Sequence, residues 1–148
     1  IQKLGDDNSA PLRLMGHVAR TQAMAISADG NWLASASGDC TVRLWDLERN
    51  QCAQVFTGHE GRVDSLSFSP QSATLASGSF DGTARVWDYA ASDELALSTE
   101  MCVPQDCNTY SESVVIAPDF KHVGVRSRHD QLKVIQMVEA AEIAHDGR

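Results

Sequence analysis

Three residue types that hydrolases combine occur here as His17, Ser35 and Asp39, and again as His59, Ser77 and Asp81. A serine hydroxyl becomes a nucleophile when an imidazole takes its proton and a carboxylate orients that imidazole. Such a nucleophile has to lie exposed beside its base. The two sets share one internal spacing, and catalytic triads do not come as tandem duplicates. Duplication points to architecture, and the chain is expected not to be an enzyme. Metal binding is the other chemistry these residue types could do. Cys102 and Cys107, with His122 and His129 beyond them, offer thiol and imidazole ligands. Zinc wants four ligands in compact pairs, and the histidine spacing is wrong for that. No metal and no cofactor are expected.

The duplication extends well past those residues. Gly16–Asp46 aligns without a gap on Gly58–Asp88 at an offset of 42 residues, with 13 of 31 positions identical. Gly16-His17 matches Gly58-His59, Arg20 matches Arg62, and Leu33-Ala34-Ser35 matches Leu75-Ala76-Ser77. Asp39 matches Asp81, and Arg43-x-Trp45-Asp46 matches Arg85-x-Trp87-Asp88. A decayed third copy follows, in which Ile116-Ala117-Pro118-Asp119 falls under Ile26-Ser27-Ala28-Asp29. There Leu132-Lys133-Val134 falls under Val42-Arg43-Leu44, and Ile135-Gln136 replaces the Trp-Asp pair. A period of this size is the mark of a repeat architecture.

Each copy reads as short strands of period two with turn residues between them. Leu66 and Phe68 alternate with Ser65, Ser67 and Ser69, and Ala84 and Val86 with Arg85 and Trp87. Asp29-Gly30 and Asp81-Gly82 are hairpin-turn signals. No useful window has helical periodicity, so the class is all-β. Bulk properties agree with a folded domain: 148 residues, 43% hydrophobic, and no run of about 20 apolar residues that could span a bilayer. The net charge of -8, from 20 acidic and 12 basic residues, repels phosphate backbones and anionic lipid. Neither nucleic acid nor membrane is an expected partner. Cys40, Cys52, Cys102 and Cys107 read as reduced thiols, and nothing near Ile1 reads as a secretory signal, so a cytoplasmic or nuclear location is expected.

A Gly-His opening, a Trp-Asp close and a period in the forties together resemble the WD40 repeat, which builds β-propeller blades of four strands each. The resemblance implies about three blades, a partial propeller. Residues 11–15 would be the outer strand of a preceding blade, 16–57 blade one, and 58–98 blade two. Residues 99–111 would be an inserted loop, and 112–148 a degenerate blade three with the start of the next. The resemblance also implies a structural hydrogen-bonded tetrad per blade: His17, Ser35, Asp39 and Trp45, then His59, Ser77, Asp81 and Trp87. A buried indole N–H must find an acceptor, and such a chain supplies one. At the matching positions the third copy has Cys107, Val125, His129 and Ile135, so its tetrad is lost.

In function, the resemblance implies a non-catalytic scaffold for other proteins or peptides in a multiprotein complex. The alternative is a sensing or autoinhibitory module of a larger signalling enzyme, such as an NTPase or kinase. Propellers close with about 4–8 blades. The remaining blades are therefore expected from a longer parent chain, from self-association or from other chains. Candidate partner-binding residues lie near the loops. Arg20, Arg62 and Arg148 recur just after the loop histidine or its equivalent, and could hold an acidic or phosphorylated peptide. An ion pair of Arg62 with Asp64 or Glu60 is the plainer reading. Phe80, just before Asp81, is a possible anchor where the other copies have Gly38 and Arg128. Trp32, without a Trp equivalent in the other copies, reads first as packing and second as a surface anchor.

Overall fold

Strand and turn alternate from Thr21 to Asp88 in the computed structural model, which describes residues 11–90, 99–102, 111–116, 122–127 and 132–136. The first sheet takes β1 (Thr21–Ile26), β2 (Trp32–Ser37), β3 (Val42–Asp46) and β4 (Gln51–Phe56), hydrogen-bonded in that order. The second takes β5 (Val63–Phe68), β6 (Thr74–Ser79), β7 (Thr83–Asp88) and β8 (Thr99–Cys102) in the same way. A third sheet orders β9 (Ser111–Ile116), β10 (His122–Ser127) and β11 (Leu132–Gln136), with β10 central. All pairings are antiparallel. There is no helix among the described residues, and none long and apolar enough to cross a membrane.

Local chemistry sets the turns. Between β1 and β2 the Gly30 N–H reaches the Ser27 carbonyl at 2.9 Å, and the Asp29 carboxylate accepts the Asn31 N–H at 3.0 Å. Such a side chain mimics a backbone turn and favours the reversal. Between β6 and β7, Gly82 takes φ +83° and donates its N–H to the Ser79 carbonyl at 3.1 Å. In the first sheet that station is Cys40, at φ +69°. Left-handed backbone suits glycine and strains a residue with a Cβ.

The sheets stack face to face in chain order. Ala34, Ala36, Val42, Leu44 and Phe56 of the first sheet form one core cluster with Val63, Leu75 and Trp87 of the second. Leu66, Phe68 and Tyr89 pack at its margin, and the Phe56 and Trp87 rings lie 5.2 Å apart. The small residues of β2 and β6 (Ala-Ser-Ala and Ala-Ser-Gly) keep the sheets close, and every residue of β6 is buried. On the far side of the second sheet, β9 lies against β5 and β6 with Val114 and Ile116 buried. The Ile116 N–H reaches Ser67 Oγ at 3.4 Å.

Sequence-based boundaries are corrected in three places. Residues 99–102 are not part of an inserted loop. They are β8, paired with β7 through Thr83↔Cys102 and Val86↔Thr99, so the second blade extends past residue 98. What joins this outer strand to its sheet is backbone pairing with β7. Thr-Glu-Met-Cys carries no signal of its own, and its separation from Asp88 is longer than that of Gln51 from Asp46. Residues 103–110 lie outside the described residues, and β9 begins at Ser111, one residue before the expected 112. Residues 11–15 form no strand. Strand geometry persists where a ladder partner lies alongside, and no described strand pairs with these residues.

Candidate functional site

Each of the first two sheets carries a hydrogen-bonded chain that starts at a tryptophan and ends at an aspartate. In the first, Trp45 Nε1–H donates to Ser35 Oγ at 2.8 Å, and Ser35 Oγ lies 2.8 Å from His17 Nε2. His17 Nδ1 lies 2.9 Å from Asp39 Oδ2. The second repeats it: Trp87 Nε1–H to Ser77 Oγ at 2.8 Å, Ser77 Oγ to His59 Nε2 at 2.8 Å, and His59 Nδ1 to Asp81 Oδ2 at 2.9 Å. An indole can only donate. The serine oxygen must therefore accept from it, and its own proton goes to Nε2. With the serine proton directed there, the tautomer that carries its proton on Nδ1 donates to the carboxylate, and this assignment satisfies every donor of the chain.

The aspartates gather more donors than the histidine. Asp39 Oδ1 accepts from Thr41 Oγ1–H at 2.6 Å and from the Thr41 N–H at 3.0 Å, and Oδ2 accepts the Val18 N–H at 3.1 Å. Asp81 takes the equivalent bonds from Thr83, at 2.6 and 2.8 Å, and from the Glu60 N–H at 2.9 Å. Burial by itself would raise the Asp39 pKa. Hydrogen bonds from the Thr41 hydroxyl, His17 and the Thr41 and Val18 N–H groups outweigh it and hold the carboxyl well below its ordinary value. For Asp81 burial is again opposed, by the Thr83 hydroxyl, the Glu60 N–H and His59, and the net direction is downward. Each carboxylate thereby ties the loop before its first strand to the turn between its second and third.

As catalytic groups these serines are badly placed. Ser35 is 4% exposed and Ser77 0%, and each oxygen is already committed to an indole and an imidazole. A substrate carbonyl has no approach to either. Among the described residues no group of three His, Cys, Asp or Glu could hold a metal ion. Cys107 and His129 lie outside the described residues, as do Arg128 and Arg148.

Three of the remaining candidates, Arg62, Asp64 and Phe80, gather at one end of the second sheet, the end of His59 and Asp81. Arg62 Nε pairs with Asp64 at 3.0 Å, and its Cζ stands 4.8 Å from the centre of the Phe80 ring. Phe80 is 38% exposed, and just over half of the Arg62 side chain is exposed. The main chain holds the two together, since the Phe80 N–H donates to the Arg62 carbonyl at 2.9 Å. In the first sheet the matching bond runs from the Gly38 N–H to the Arg20 carbonyl, at 2.9 Å. Arg20 is exposed there, and Gly38 stands where the second sheet has Phe80. Trp32 is half-buried, its ring 6.0 Å from that of Tyr89.

Sequence reasoning passed over two features. Thr41 and Thr83 are identical in the alignment, two residues after each aspartate, and that identity was an available signal. Gly16 and Gly58 each sit under an arginine. A Cβ on Gly58 would stand 3.0 Å from Arg85 Nη1, at a φ of +144°, and one on Gly16 would collide with Arg43. The glycine of the Gly-His pair makes room for the arginine two residues before the tryptophan.

The family model described as WD domain, G-beta repeat matches residues 10–46 and 50–88. A ribosome biogenesis protein BOP1 homolog from Dictyostelium discoideum is 42% identical over 41 residues, 28% of this chain and 5% of that protein. Human striatin is 37% identical over 57 residues, covering 37% of this chain and 7% of striatin. The small ribosomal subunit protein RACK1 of Schizosaccharomyces pombe is 45% identical over 47 residues, 32% of this chain and 15% of that protein. The matched segments thus span a small fraction of each of these relatives.

Proposed function

Because the chain belongs to the WD40 repeat family, a family of protein-interaction modules, we propose that it is a non-catalytic scaffold that binds a protein partner through Arg62, Asp64 and Phe80, with Arg20 contributing from the next blade. Arg62 lying over the exposed Phe80 ring carries this reading. Arginine and aromatic side chains are enriched where binding energy concentrates, and a pair already ordered in the free protein loses less entropy on docking. The two guanidinium groups suit an acidic or phosphorylated peptide, which can accept paired hydrogen bonds from each. Asp64 orients Arg62 and sets the sign of the cluster's edge.

The module works in the cytoplasm or nucleus, within a multiprotein complex, and neither nucleic acid nor membrane is its primary partner. Its remaining blades come from a parent chain or from self-association. Light scattering on the chain in solution separates those two, since self-association gives a multiple of 16.0 kDa. The binding surface is tested by immobilising the chain, capturing partners from lysate and repeating with Arg62→Ala and Phe80→Ala. Both variants should lose most of the captured protein while keeping the parent circular dichroism. Undiminished capture by both would falsify this surface.

A further inference from the structure

A recessed feature lies at the opposite end of the same two sheets. Trp32 opens β2 and Tyr89 directly follows β7, whereas Asp39 and Asp81 occupy the turns at the other ends of β2 and β6. Between the β1–β2 turn and the β5–β6 turn is a cleft of about 310 Å³, lined by Asp29, Trp32, Pro70, Gln71 and Tyr89 among others. Neither the tetrads nor the Arg62 surface uses it.

Aromatic rings form part of its lining. The Trp32 and Tyr89 rings are 6.0 Å apart with planes 53° from parallel. Phe68 meets Tyr89 edge-on at 5.7 Å and steadies it. Both lining rings are only half-buried. Negative charge borders them. The Asp29 carboxyl is held below its ordinary pKa first by the Ser27 hydroxyl and then by the Asn31 N–H. The Tyr89 phenol is pushed up first by burial and then by the charges of Asp29 and Asp88. Arg49, on the β3–β4 turn at this same end, is engaged by Asp46 at 2.8 Å.

We infer that this cleft is a second binding site and that it takes the guanidinium group of an arginine on a partner protein. A cation is drawn to the face of an indole or phenol ring, arginine more often than lysine. A planar guanidinium can stack on such a ring while its N–H groups reach the Asp29 carboxylate. A basic segment also complements a chain of net charge -8. The two proposed surfaces lie at opposite ends of the blades and do not compete.

The test uses the whole chain, ¹⁵N-labelled, titrated with N-acetyl-arginine amide and, separately, with its neutral isostere N-acetyl-citrulline amide. The Trp32 indole N–H should shift saturably in the millimolar range with the arginine probe, while the Trp45 and Trp87 indoles stay in place. Citrulline should bind about fivefold more weakly, as should the arginine probe to Asp29→Asn. Unmoved Trp45 and Trp87 signals in that variant show that the fold is kept. Phe80→Ala should leave the titration unchanged, so loss of the Arg62 surface and loss of this cleft are separable. Equal responses to the two probes, or no saturable shift of Trp32, would overturn the inference.

Discussion

The first and second sheets carry the same tetrad, yet corresponding hydrophobic residues meet opposite fates. Met24 and Ile26 of β1 stand at the stations of Leu66 and Phe68 of β5, facing Ser35 and Leu33 as those face Ser77 and Leu75. Leu66 and Phe68 pack on the core between the sheets, whereas Met24 is 68% and Ile26 56% exposed. Val55, across β3 from Ser35's row, is also exposed. The hydrogen-bond distances in the two tetrads nevertheless agree within a tenth of an ångström. A tetrad thus holds its geometry whether or not a sheet covers that face. Burial of the apolar side chains is set by the neighbour, and the polar chain is set within the blade.

The sharpest way to break this comparison is a matched pair of substitutions. Leu66→Ser should cost about 2–3 kcal/mol in urea unfolding, because it empties space at the core margin and places a hydroxyl there. Met24→Ser should stay within about 0.5 kcal/mol, as expected for an exposed position. A loss at Met24 as large as that at Leu66 would mean that another sheet covers the first blade in solution.

Acid should act on both tetrads alike. The folded-state carboxyls of Asp39 and Asp81 lie below the ordinary value of 3.8. Their contribution is therefore complete above that value and is lost as the pH falls beneath it towards the folded-state pKa. Asp39→Asn and Asp81→Asn should each cost about 1–2 kcal/mol near neutral pH, by weakening a buried network of donors. Each should also flatten the fall in stability below about pH 4. A parent chain whose melting temperature is level down to pH 2 would contradict the bonding described for these carboxylates.

A smaller effect should distinguish the turns. Cys40→Gly should raise stability by about 0.5 kcal/mol in the same urea assay, since Cys40 holds the left-handed backbone that Gly82 takes without strain. Gly82→Ala should lower stability by a similar or larger amount. A destabilised Cys40→Gly would show that the thiol contributes packing that outweighs the strain.

The residues most legible from sequence are those with one partner set and one spacing. The tetrad of His17, Ser35, Asp39 and Trp45 was named by the WD40 resemblance, and the second copy repeats its intervals. Alternation in β5 and β7 was equally plain, because side chains on a strand take opposite faces. The outer strand β8 was not legible: it joins through backbone groups that every residue possesses, after a connection of different length. The placing of Arg62 over Phe80 could not be read either. The ladder between β5 and β6 is irregular between Val63 and Ser65, and across such a shift residue counting loses register. The arginines above Gly16 and Gly58 come from β3 and β7, and only folding brings them there.

The bond from the Phe80 N–H to the Arg62 carbonyl has its counterpart between Gly38 and Arg20, with a different side chain above it. What carries the proposed binding surface is main chain, and what would distinguish one such surface from another is side chain. Exchanging the residues at these two stations should therefore re-address the module to a new partner while its frame stays as it is, blade by blade, without a change in fold.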